Sequence, residues 1–407
     1  MRSVDEHLAD ILSRVGALSE MDLHLLDAHG CVLAHDVVAT SPLPGFDNSA
    51  MDGYAVRVAD IAGATPEQPA QLPVIGDIAA GSGSVKSIGA GVTARIMTGA
   101  PVPPGADAVV PVEWTDGGVH RVRIGNAPPA GAFIRRAGED VRPGDTVLPV
   151  GTLLGSAQVG LLAAMGHRSV RVRPKPRVVI ISTGTELVEI GTEPGPGQLV
   201  DSNSYAITAA VREAGAIAYR VGIVPDDPRQ LQSSIEDHLI QADMVVTSGG
   251  VSVGAYDVVK QVLGYLGDVQ FHSVAMQPGM PQAFGTIGPD NVPIFGLPGN
   301  PVSALVSFEV FVRQALRRML GAEPLGRPQV SAVLTEPIRS PLGRRQFLRV
   351  RVDRSEDRWV AEPTVGQGSH MMSGMAAANG LVVVPESATE VPAGSLLTTW
   401  LLERRGR

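Results

Sequence analysis

The sequence predicts a multidomain α/β protein, in which a domain with an open α/β sheet is joined by an inserted β domain, a discontinuous helical segment and a C-terminal β domain. The length of 407 residues exceeds what one hydrophobic core usually organises. Two apolar runs, Arg177-VVIIST and Met244-VVTS, are typical of parallel strands buried on both faces and alternate with helical stretches. The flanking segments combine frequent Gly and Pro turns with short Val/Ile-rich runs, which predicts β-rich domains.

Two amphipathic helices are expected on either side of the inserted β domain. Apolar residues spaced three and four apart predict a helix over 4–15, and Leu154 to Met165 shows a second such pattern. We expect these helices to pack together. Residues 1–20 and 145–173 are therefore assigned to the discontinuous helical domain, and residues 21–144 to the inserted β domain.

The α/β domain is predicted to span residues 174–324, after a plausible linker at Arg173-Pro-Lys-Pro. Strand-helix alternation of this kind indicates an open sheet with right-handed crossovers. Residues 325–407 return to short strands and form the C-terminal β domain. The predicted helices of the α/β domain are 203–215, 228–241, 255–266 and 302–319, and its further strands are 218–224, 269–276, 282–287 and 292–297.

Composition excludes several classes of function. With 33 basic and 41 acidic side chains, the net charge of −8 gives no sign of a nucleic-acid surface. No run of about 18 apolar residues could cross a membrane, and the N-terminus shows no export signal. We therefore expect a cytoplasmic protein without nucleic-acid or membrane partners. The single cysteine, Cys31, lies in an apolar stretch and is expected to be a buried structural thiol.

Small-residue loops follow both buried strands of the α/β domain. The first is Ser182-Thr-Gly-Thr-Glu-Leu and the second Thr247-Ser-Gly-Gly-Val-Ser-Val-Gly. Ligands of open α/β sheets bind at such carboxyl ends, and Gly, Ser and Thr let the backbone and hydroxyls approach phosphate. The loops indicate a phosphorylated ligand, although Gly also serves such turns for steric reasons alone. The absence of GK[ST] and G-x-G-x-x-G disfavours a P-loop NTPase and a Rossmann dehydrogenase.

A third loop, Gly296-Leu-Pro-Gly-Asn-Pro, opens the predicted long helix, with Asn300 at the N-cap and Pro301 at the first helical position. Its free N–H groups would favour an anion, or the loop serves helix initiation only. Acidic residues lie near the loops: Glu186, Asp257 and the pair Asp226-Asp227. Such oxygen ligands suit Mg²⁺ beside a phosphoanhydride, whereas Asp226 and Asp227 could instead cap a helix. The histidines lack H-E-x-x-H spacing, which argues against a zinc hydrolase.

The segment Pro44-Gly-Phe-Asp-Asn-Ser-Ala-Met-Asp-Gly-Tyr-Ala is far more specific than any loop. It closely resembles the signature of the MoeA family, which includes the E-domains of gephyrin and the plant molybdenum-insertion proteins. Further family patterns recur in order, so the resemblance covers nearly the whole chain. They are Met97-Thr-Gly-Ala-Pro-Val-Pro, Gly138-Glu-Asp, Ser182-Thr-Gly-Thr-Glu-Leu, Ser248-Gly-Gly-Val-Ser-Val-Gly, Leu297-Pro-Gly-Asn-Pro-Val-Ser-Ala and Gln367-Gly-Ser-His.

The resemblance implies four domains, an elongated homodimer and a molybdopterin molybdenumtransferase activity. The expected substrates are adenylylated molybdopterin and molybdate, with Mg²⁺ as the metal and AMP as the product, in the last step of molybdenum-cofactor synthesis. The molybdenum would join the cofactor's own dithiolene sulfurs, so no protein thiolate is needed. In the related dimers the β insert of one subunit faces the α/β domain of the other, so the site would be shared. Transient contact with the molybdopterin adenylyltransferase is also expected.

The resemblance also assigns roles by motif position. Catalytic roles fall to Asp52, Asp140, Glu186, Asp226 and Asp257, of which Glu186, Asp226 and Asp257 would hold Mg²⁺ or position water. Arg349 and Ser369 would contact molybdate, since Arg and hydroxyl donors suit an oxyanion; Arg349 could instead be an exposed strand residue. The remaining ligand-binding residues are Thr98, Ser182, Thr183, Gly184, Thr185, Ser248, Gly249, Gly250, Ser252, Pro298 and Pro301.

One segment departs from the family pattern. Family members commonly carry lysines around K-P-G-K-P, whereas this chain has Gln277 and Met280 in Ser273-Val-Ala-Met-Gln-Pro-Gly-Met-Pro. A neutral amide and a thioether do not supply ammonium charge toward phosphate or molybdate. Two rival functions are an enzyme that shares the molybdopterin-binding domain, either the adenylyltransferase or a CinA-like nucleotide hydrolase, and a non-catalytic scaffold. The β insert and the C-terminal β domain disfavour the adenylyltransferase, and the carboxylates disfavour the scaffold.

Overall fold

A six-stranded mixed sheet lies at the centre of the α/β part of the chain. The computed structural model describes residues 1–83, 85–249 and 256–402, without the side chains of residues 256 and 257. In spatial order the first four strands are parallel to one another, and the fifth is antiparallel to both of its neighbours, which confirms the predicted open α/β sheet. In spatial order the strands are Ile217–Val224, Arg177–Thr183, Met244–Ser248, Val292–Leu297, Pro281–Ile287 and Gly267–Ser273.

The continuous apolar runs form the central strands because helices cover both faces of the sheet. Residues 178–181 are all fully buried. Val178 and Ile180 belong to one hydrophobic cluster, and Val179 and Ile181 to a second cluster on the opposite face. This is the pattern expected of a parallel strand buried on both sides.

Helix boundaries follow from local capping. Ser3 and Glu6 form a capping box at the start of Val4–Arg14, and the Asp227 side chain accepts from the N–H of Gln230 at the start of Pro228–Leu239. The predicted helices of the α/β domain are confirmed, with ends shifted by a few residues. They are Asn203–Glu213, Pro228–Leu239, Tyr256–Leu266 and Pro301–Ser307 continuing to Leu320.

The long helix differs from its prediction in two respects. A π-helical turn, Phe308–Val312, separates Pro301–Ser307 from Arg313–Leu320. In addition, Arg313, a charged residue of the predicted helix, points inward after the π turn, where it is 4% exposed and 3.7 Å from the Glu309 carboxylate. Arg327 forms two 2.9 Å bonds to the same carboxylate, so the turn carries a buried ionic group.

Contact density divides the chain into two compact units. The first contains residues 1–34, 151–155 and 169–407, and the second contains residues 35–150 and 156–168. The helix Val4–Arg14 buries Val4 and Ile11 in the core of the first unit, whereas the helix Ser156–Ala164 belongs to the second. The four-domain division and the packing of these two helices on each other remain predictions.

Two further sheets belong to the first unit. The chain after residue 325 forms a sheet that closes on itself through Arg345–Ser355 and Gly380–Val384, as expected of a C-terminal β domain. A three-stranded sheet contains Met21–His24, Ser169–Arg173 and Val32–Leu33, and beside it Cys31 is 1% exposed, which confirms a buried thiol. The remaining elements of the first unit are Met276–Gln277, Arg358–Pro363, Gln329–Leu334, Leu396–Leu401, Met372–Ala377 and the paired strands Leu187–Val188 with Leu199–Val200 and Ile338–Arg339 with Glu390–Val391.

The second unit confirms the prediction of short strands between Gly and Pro turns. Its main sheet contains Ala108–Pro111, Gly53–Val56, Thr93–Ile96, Ala70–Ile78 and Arg121–Ile124 in spatial order. Smaller elements are Asn48–Ser49 with Ile134–Arg135, Val37–Val38 with Thr146–Leu148, and the 3₁₀ turns Val58–Ile61 and Val112–Trp114. Within the described part of the whole chain, every helix is too short or too polar to cross a bilayer.

Candidate ligand site at the carboxyl ends of the central strands

Three loops meet at one edge of the central sheet, because the strands that precede them are parallel neighbours. The Gly249 N–H donates to the carbonyl of Leu297 over 3.2 Å. A Cβ at Gly249, whose φ is +91°, would lie 2.3 Å from the Thr183 carbonyl oxygen. The second loop therefore contacts both of its neighbours through a position that only glycine tolerates.

The hydroxyl residues at the ends of the first two strands, where the predicted loops begin, lie beneath the surface. Ser182, Thr183 and Ser248 are each at most 2% exposed. The two serine hydroxyl oxygens are 3.2 Å apart, and Thr183 bonds the Ser248 carbonyl at 3.5 Å. These three buried side chains therefore support the loops from the protein interior, whereas Thr185 and Glu186 are exposed.

A buried carboxylate that the sequence analysis missed lies under these serines. Asp201, 1% exposed, accepts from the Ser182 hydroxyl at 3.0 Å, the Ser204 hydroxyl at 2.5 Å and the Ser204 N–H at 3.1 Å. The bond to the N–H three residues on is typical of a helix start, and a polar Asp-Ser-Asn-Ser run at the start of the predicted helix was the available signal. That signal indicates a cap and says nothing of the contact to Ser182.

An ionic group stands beside this carboxylate. Arg220 makes two bonds of 3.0 and 2.9 Å to Glu189, lies 4.4 Å from the centre of the Tyr205 ring and is 3.8 Å from Asp201. Hydrogen bonding to Arg220 lowers the pKa of Glu189, and the reciprocal bond raises the pKa of Arg220. Arg220 is thereby held as a fixed cation beside Asp201.

The predicted metal-binding carboxylates have different environments. Glu186 is exposed and lies over Gly184, where an added Cβ would be 2.7 Å from its carboxylate. Asp226 accepts from the N–H of Thr185 over 3.3 Å, so the structure joins it to the first loop. Its neighbour Asp227 caps a helix, which is the alternative role that the sequence left open for the pair. Among the described residues, no group of three His, Cys, Asp or Glu forms a metal cluster.

The third loop and the C-terminal domain meet at the start of the long helix. Pro301 occupies the first helical position as predicted, and Asn300 occupies the N-cap without a side-chain capping bond. The Val302 N–H instead donates to the carbonyl of Ser369 over 3.0 Å. Pro298 in the same loop is buried. Ser369 is thus placed beside the predicted loop, although it belongs to the C-terminal domain.

Arg349 is buried, in contrast to the alternative of an exposed strand residue. It is 1% exposed and donates to the carbonyls of Gly366, at 2.8 Å, and Gly368, at 3.1 Å. Its Nε has no hydrogen-bond partner among the described residues, and burial lowers the pKa of the guanidinium. Arg349 therefore supports the loop that carries Ser369 while keeping one buried donor unused.

The segment without the expected lysines lies at the junction with the C-terminal sheet. Met276–Gln277 pairs with Arg345 and Gln346, and Met280 accepts a backbone bond from Val274. Both Gln277 and Met280 are partly exposed. The side chains at these two positions bring no cation to this part of the chain.

The residues predicted from the β insert belong to the second unit. Asp52 accepts from the Thr98 N–H at 2.6 Å and from its hydroxyl at 2.8 Å, so the structure brings these two residues together. The backbone bond from Thr98 is the main cause of a lowered pKa at Asp52. Asp140 lies in a separate turn, where its N–H donates to the Leu43 carbonyl. Gly250, Ser252 and the side chain of Asp257 lie outside the described residues.

Family models match three successive parts of the chain. The MoeA N-terminal region (domain I and II) matches residues 2–166, a probable molybdopterin binding domain matches residues 179–318, and the MoeA C-terminal region (domain IV) matches residues 331–402. The three central-strand loops and Asp201 fall in the second match, and Arg349 falls in the third.

Named relatives are similar over the full length. Molybdopterin molybdenumtransferase 2 of Mycobacterium tuberculosis is 48% identical, covering 98% of this chain and 99% of its own, and molybdopterin molybdenumtransferase 1 of that organism is 43% identical over the whole of both chains. Two structures of a molybdopterin biosynthesis MoeA protein from Pyrococcus horikoshii align with TM-scores of 0.78 and 0.76 at 33% and 29% identity. They cover 98% of this chain and 99% and 100% of their own.

Proposed function

The chain belongs to the MoeA family, and from this premise we propose that it is a molybdopterin molybdenumtransferase that inserts molybdate into adenylylated molybdopterin and releases AMP. The observation that carries the proposal is the edge of the central sheet, where three loops of the matched molybdopterin-binding domain meet. Small residues there allow close approach of a phosphorylated ligand. The matched N- and C-terminal regions argue against an enzyme that has the α/β domain alone.

Residues of the first loop and a buried arginine would contribute to ligand binding. The exposed Thr185 and Glu186 would face the ligand, with Asp226 held to Thr185. Arg349 would provide positive charge from below, because its guanidinium has carbonyl partners but no carboxylate among the described residues. A positive charge near a tetrahedral oxyanion is the chemistry expected for molybdate.

The carboxylates beside the first loop are oxygen ligands of the type that binds Mg²⁺. Mg²⁺ is commonly held by one or two carboxylates together with substrate phosphates and water, and Glu186 and Asp226 flank the same loop. We propose that these two residues hold the ion with Asp257, where it would neutralise charge on the phosphoanhydride. The same residues position the phosphate-bearing end of the substrate against the loop edge.

Assembly and location complete the proposal. A homodimer, in which Asp52, Thr98 and Asp140 of one subunit complete the site of the other, would account for signature residues found in a separate compact unit. Transient contact with the adenylyltransferase would deliver the substrate, and a cytoplasmic location would suit this biosynthetic step.

The proposal is tested by incubating the protein with adenylylated molybdopterin and Mg²⁺, with and without molybdate, and following AMP by chromatography. We expect AMP release that depends on molybdate. Tight binding of the substrate without AMP release would contradict the transferase and favour a scaffold.

A further inference from the structure

A four-residue segment, Asp201–Ser204, is linked by hydrogen bonds to all three strand-end loops, directly to the first and third and through Ser182 to the second. Asp201 accepts from Ser182, at the end of the strand that leads into the first loop, at 3.0 Å. The Ser182 hydroxyl is 3.2 Å from that of Ser248, at the start of the second loop. The Asn203 side chain donates to the Gly299 carbonyl of the third loop over 2.8 Å. One short segment thus holds three loops that come from three different strands.

The direction of the hydrogen bonds in this network follows from its charged members. A guanidinium only donates, so Arg220 donates to the Ser204 hydroxyl oxygen over 3.2 Å. The Ser204 proton is then directed to Asp201, whose other carboxylate oxygen accepts from Ser182. Asp201 accepts in all three of its bonds, which is the role of a carboxylate.

The protons of both loop serines are consequently turned inward. Ser182 has a single hydroxyl hydrogen and donates it in the bond to Asp201, so Ser248 must be the donor in the bond between the two serines. Neither hydroxyl retains a proton for a phosphate oxygen. Their exposures of 0% and 1% agree with supporting residues rather than with residues that touch a ligand.

We propose that Asp201 is a positioning residue, which acts through Ser182 and Ser248 to fix the first two loops, while Asn203 fixes the third. The inference rests on the proposed function only in naming adenylylated molybdopterin as the ligand that these loops position. Asp201 is itself 1% exposed and does not reach that ligand. The serines expected to cradle the phosphate would therefore act by holding the loops.

Asp201→Asn tests the network with almost no change in size. The amide replaces one acceptor by a donor, so at least one of the three donors around Asp201 loses its acceptor or must turn. Losing a buried hydrogen bond to a charged group changes an equilibrium constant by roughly tenfold or more. Arg220 keeps its two bonds to Glu189, so its charge stays paired.

The kinetic experiment compares Asp201→Asn, Ser182→Ala and the double variant with the unaltered chain. We expect KM for adenylylated molybdopterin to rise about tenfold in Asp201→Asn, with a smaller change in kcat, because loop placement governs binding. The double variant should be no worse than the poorer single variant, since both changes break one chain of bonds. Asp237→Asn makes the same change at an exposed position of the helix Pro228–Leu239, outside the network, and is the matched control, which should leave KM within about twofold.

An unchanged KM in Asp201→Asn, or effects that multiply in the double variant, would overturn the inference. Hydrogen exchange of the segment 182–187 without substrate gives a readout independent of activity, and we expect faster exchange in Asp201→Asn. Equal exchange rates in Asp201→Asn and the unaltered chain would overturn the positioning role, whatever the activity. Absence of AMP release by the unaltered chain would contradict only the proposed function. If Asp201→Asn fails to fold, Ser182→Ala and Asn203→Ala replace it in the test. Each should raise KM, and an unchanged KM in both variants would overturn the inference.

Discussion

Two neighbouring aspartates show how the environment of a side chain decides its role. Asp227 accepts from the Gln230 N–H at 2.9 Å and caps a helix. Asp226 instead accepts from Thr185 in the first strand-end loop. Sequence alone leaves both roles open to both residues, because each is an acidic side chain before a proline. The structure separates them, and the separation provides a matched pair of variants.

Asp226→Ala is expected to reduce AMP release at least about a hundredfold while leaving the free energy of unfolding within about 0.5 kcal/mol, because the residue makes no cap. Asp227→Ala should lower the free energy of unfolding by about 1 kcal/mol through the lost cap and retain activity. Urea unfolding and AMP release measured on both proteins check this. Wild-type activity in Asp226→Ala would remove the residue from the mechanism.

At the level of the secondary-structure elements, the placement of the loops depends on close backbone approach. Gly249 has a φ of +91° and its Cα faces Thr183, so a methyl group would meet a carbonyl oxygen at 2.3 Å. Gly264 lies in the helix Tyr256–Leu266, where, its chain neighbours and its own helix backbone aside, no described atom lies within 4 Å of an added Cβ. The same substitution therefore has opposite consequences at the two positions.

Gly249→Ala is expected to lower the free energy of unfolding by about 1–3 kcal/mol and to weaken substrate binding, because the loop must move. Gly264→Ala should raise stability by about 0.5–1 kcal/mol, the helix preference of alanine over glycine, with activity unchanged. Thermal and urea unfolding measure the stability of both variants, and substrate titration measures their binding. Equal effects of the two substitutions would contradict the packing of the second loop.

The docking of the first helix is predicted to depend on pH. Burial lowers the pKa of His7 from 6.5 to about 4, aided by His272 and Arg2 and opposed by Asp10. Between these values the unfolded chain binds a proton that the folded chain does not, so stability is complete above pH 6.5 and falls as the pH drops toward 4. The loss attributable to His7 is at most about 3 kcal/mol.

His7→Phe should preserve the ring contacts with Phe284 and Phe311 and weaken this pH dependence. The free energy of unfolding, measured in urea at pH 7.5, 6, 5 and 4.5, provides the comparison. The same loss of stability on acidification in both proteins would show that His7 does not contribute.

Elements with strong local patterns were predictable, and contacts between distant elements were not. The buried strands and the helices of the α/β domain were predicted because continuous apolar runs and three-four spacing are local signals. The π turn that buries Arg313 and the network around Asp201 depend on neighbours far along the chain. Arg349 was predicted as a site residue by resemblance, but its burial against Gly366 and Gly368 has no local signal.

At the scale of the whole molecule, signature residues are distributed over two compact units. Asp52 and Thr98 are bonded to each other in one unit, and Asp226 is bonded to Thr185 in the other. The shared site that we propose requires one residue pair from each of two subunits. This requirement can be tested without knowing the geometry of the interface.

Asp52→Ala and Asp226→Ala chains, each expected to be inactive, should regain about a quarter of full activity when mixed and allowed to exchange. Half of the dimers would then be mixed, and each mixed dimer has one intact site of two. Sedimentation should show twice the chain mass of 42.4 kDa. A mixture that stays inactive despite proven exchange would place all of these residues in one subunit's site.

The central claim is molybdenum insertion, and the most direct measurement is the ratio of AMP released to molybdenum delivered. The protein would be incubated with adenylylated molybdopterin, Mg²⁺ and molybdate, and the product transferred to an apo-molybdoenzyme whose activity reports cofactor assembly. We predict one AMP for each molybdenum transferred, with reconstitution that requires the protein. AMP release without reconstitution, or reconstitution without AMP release, would contradict the account.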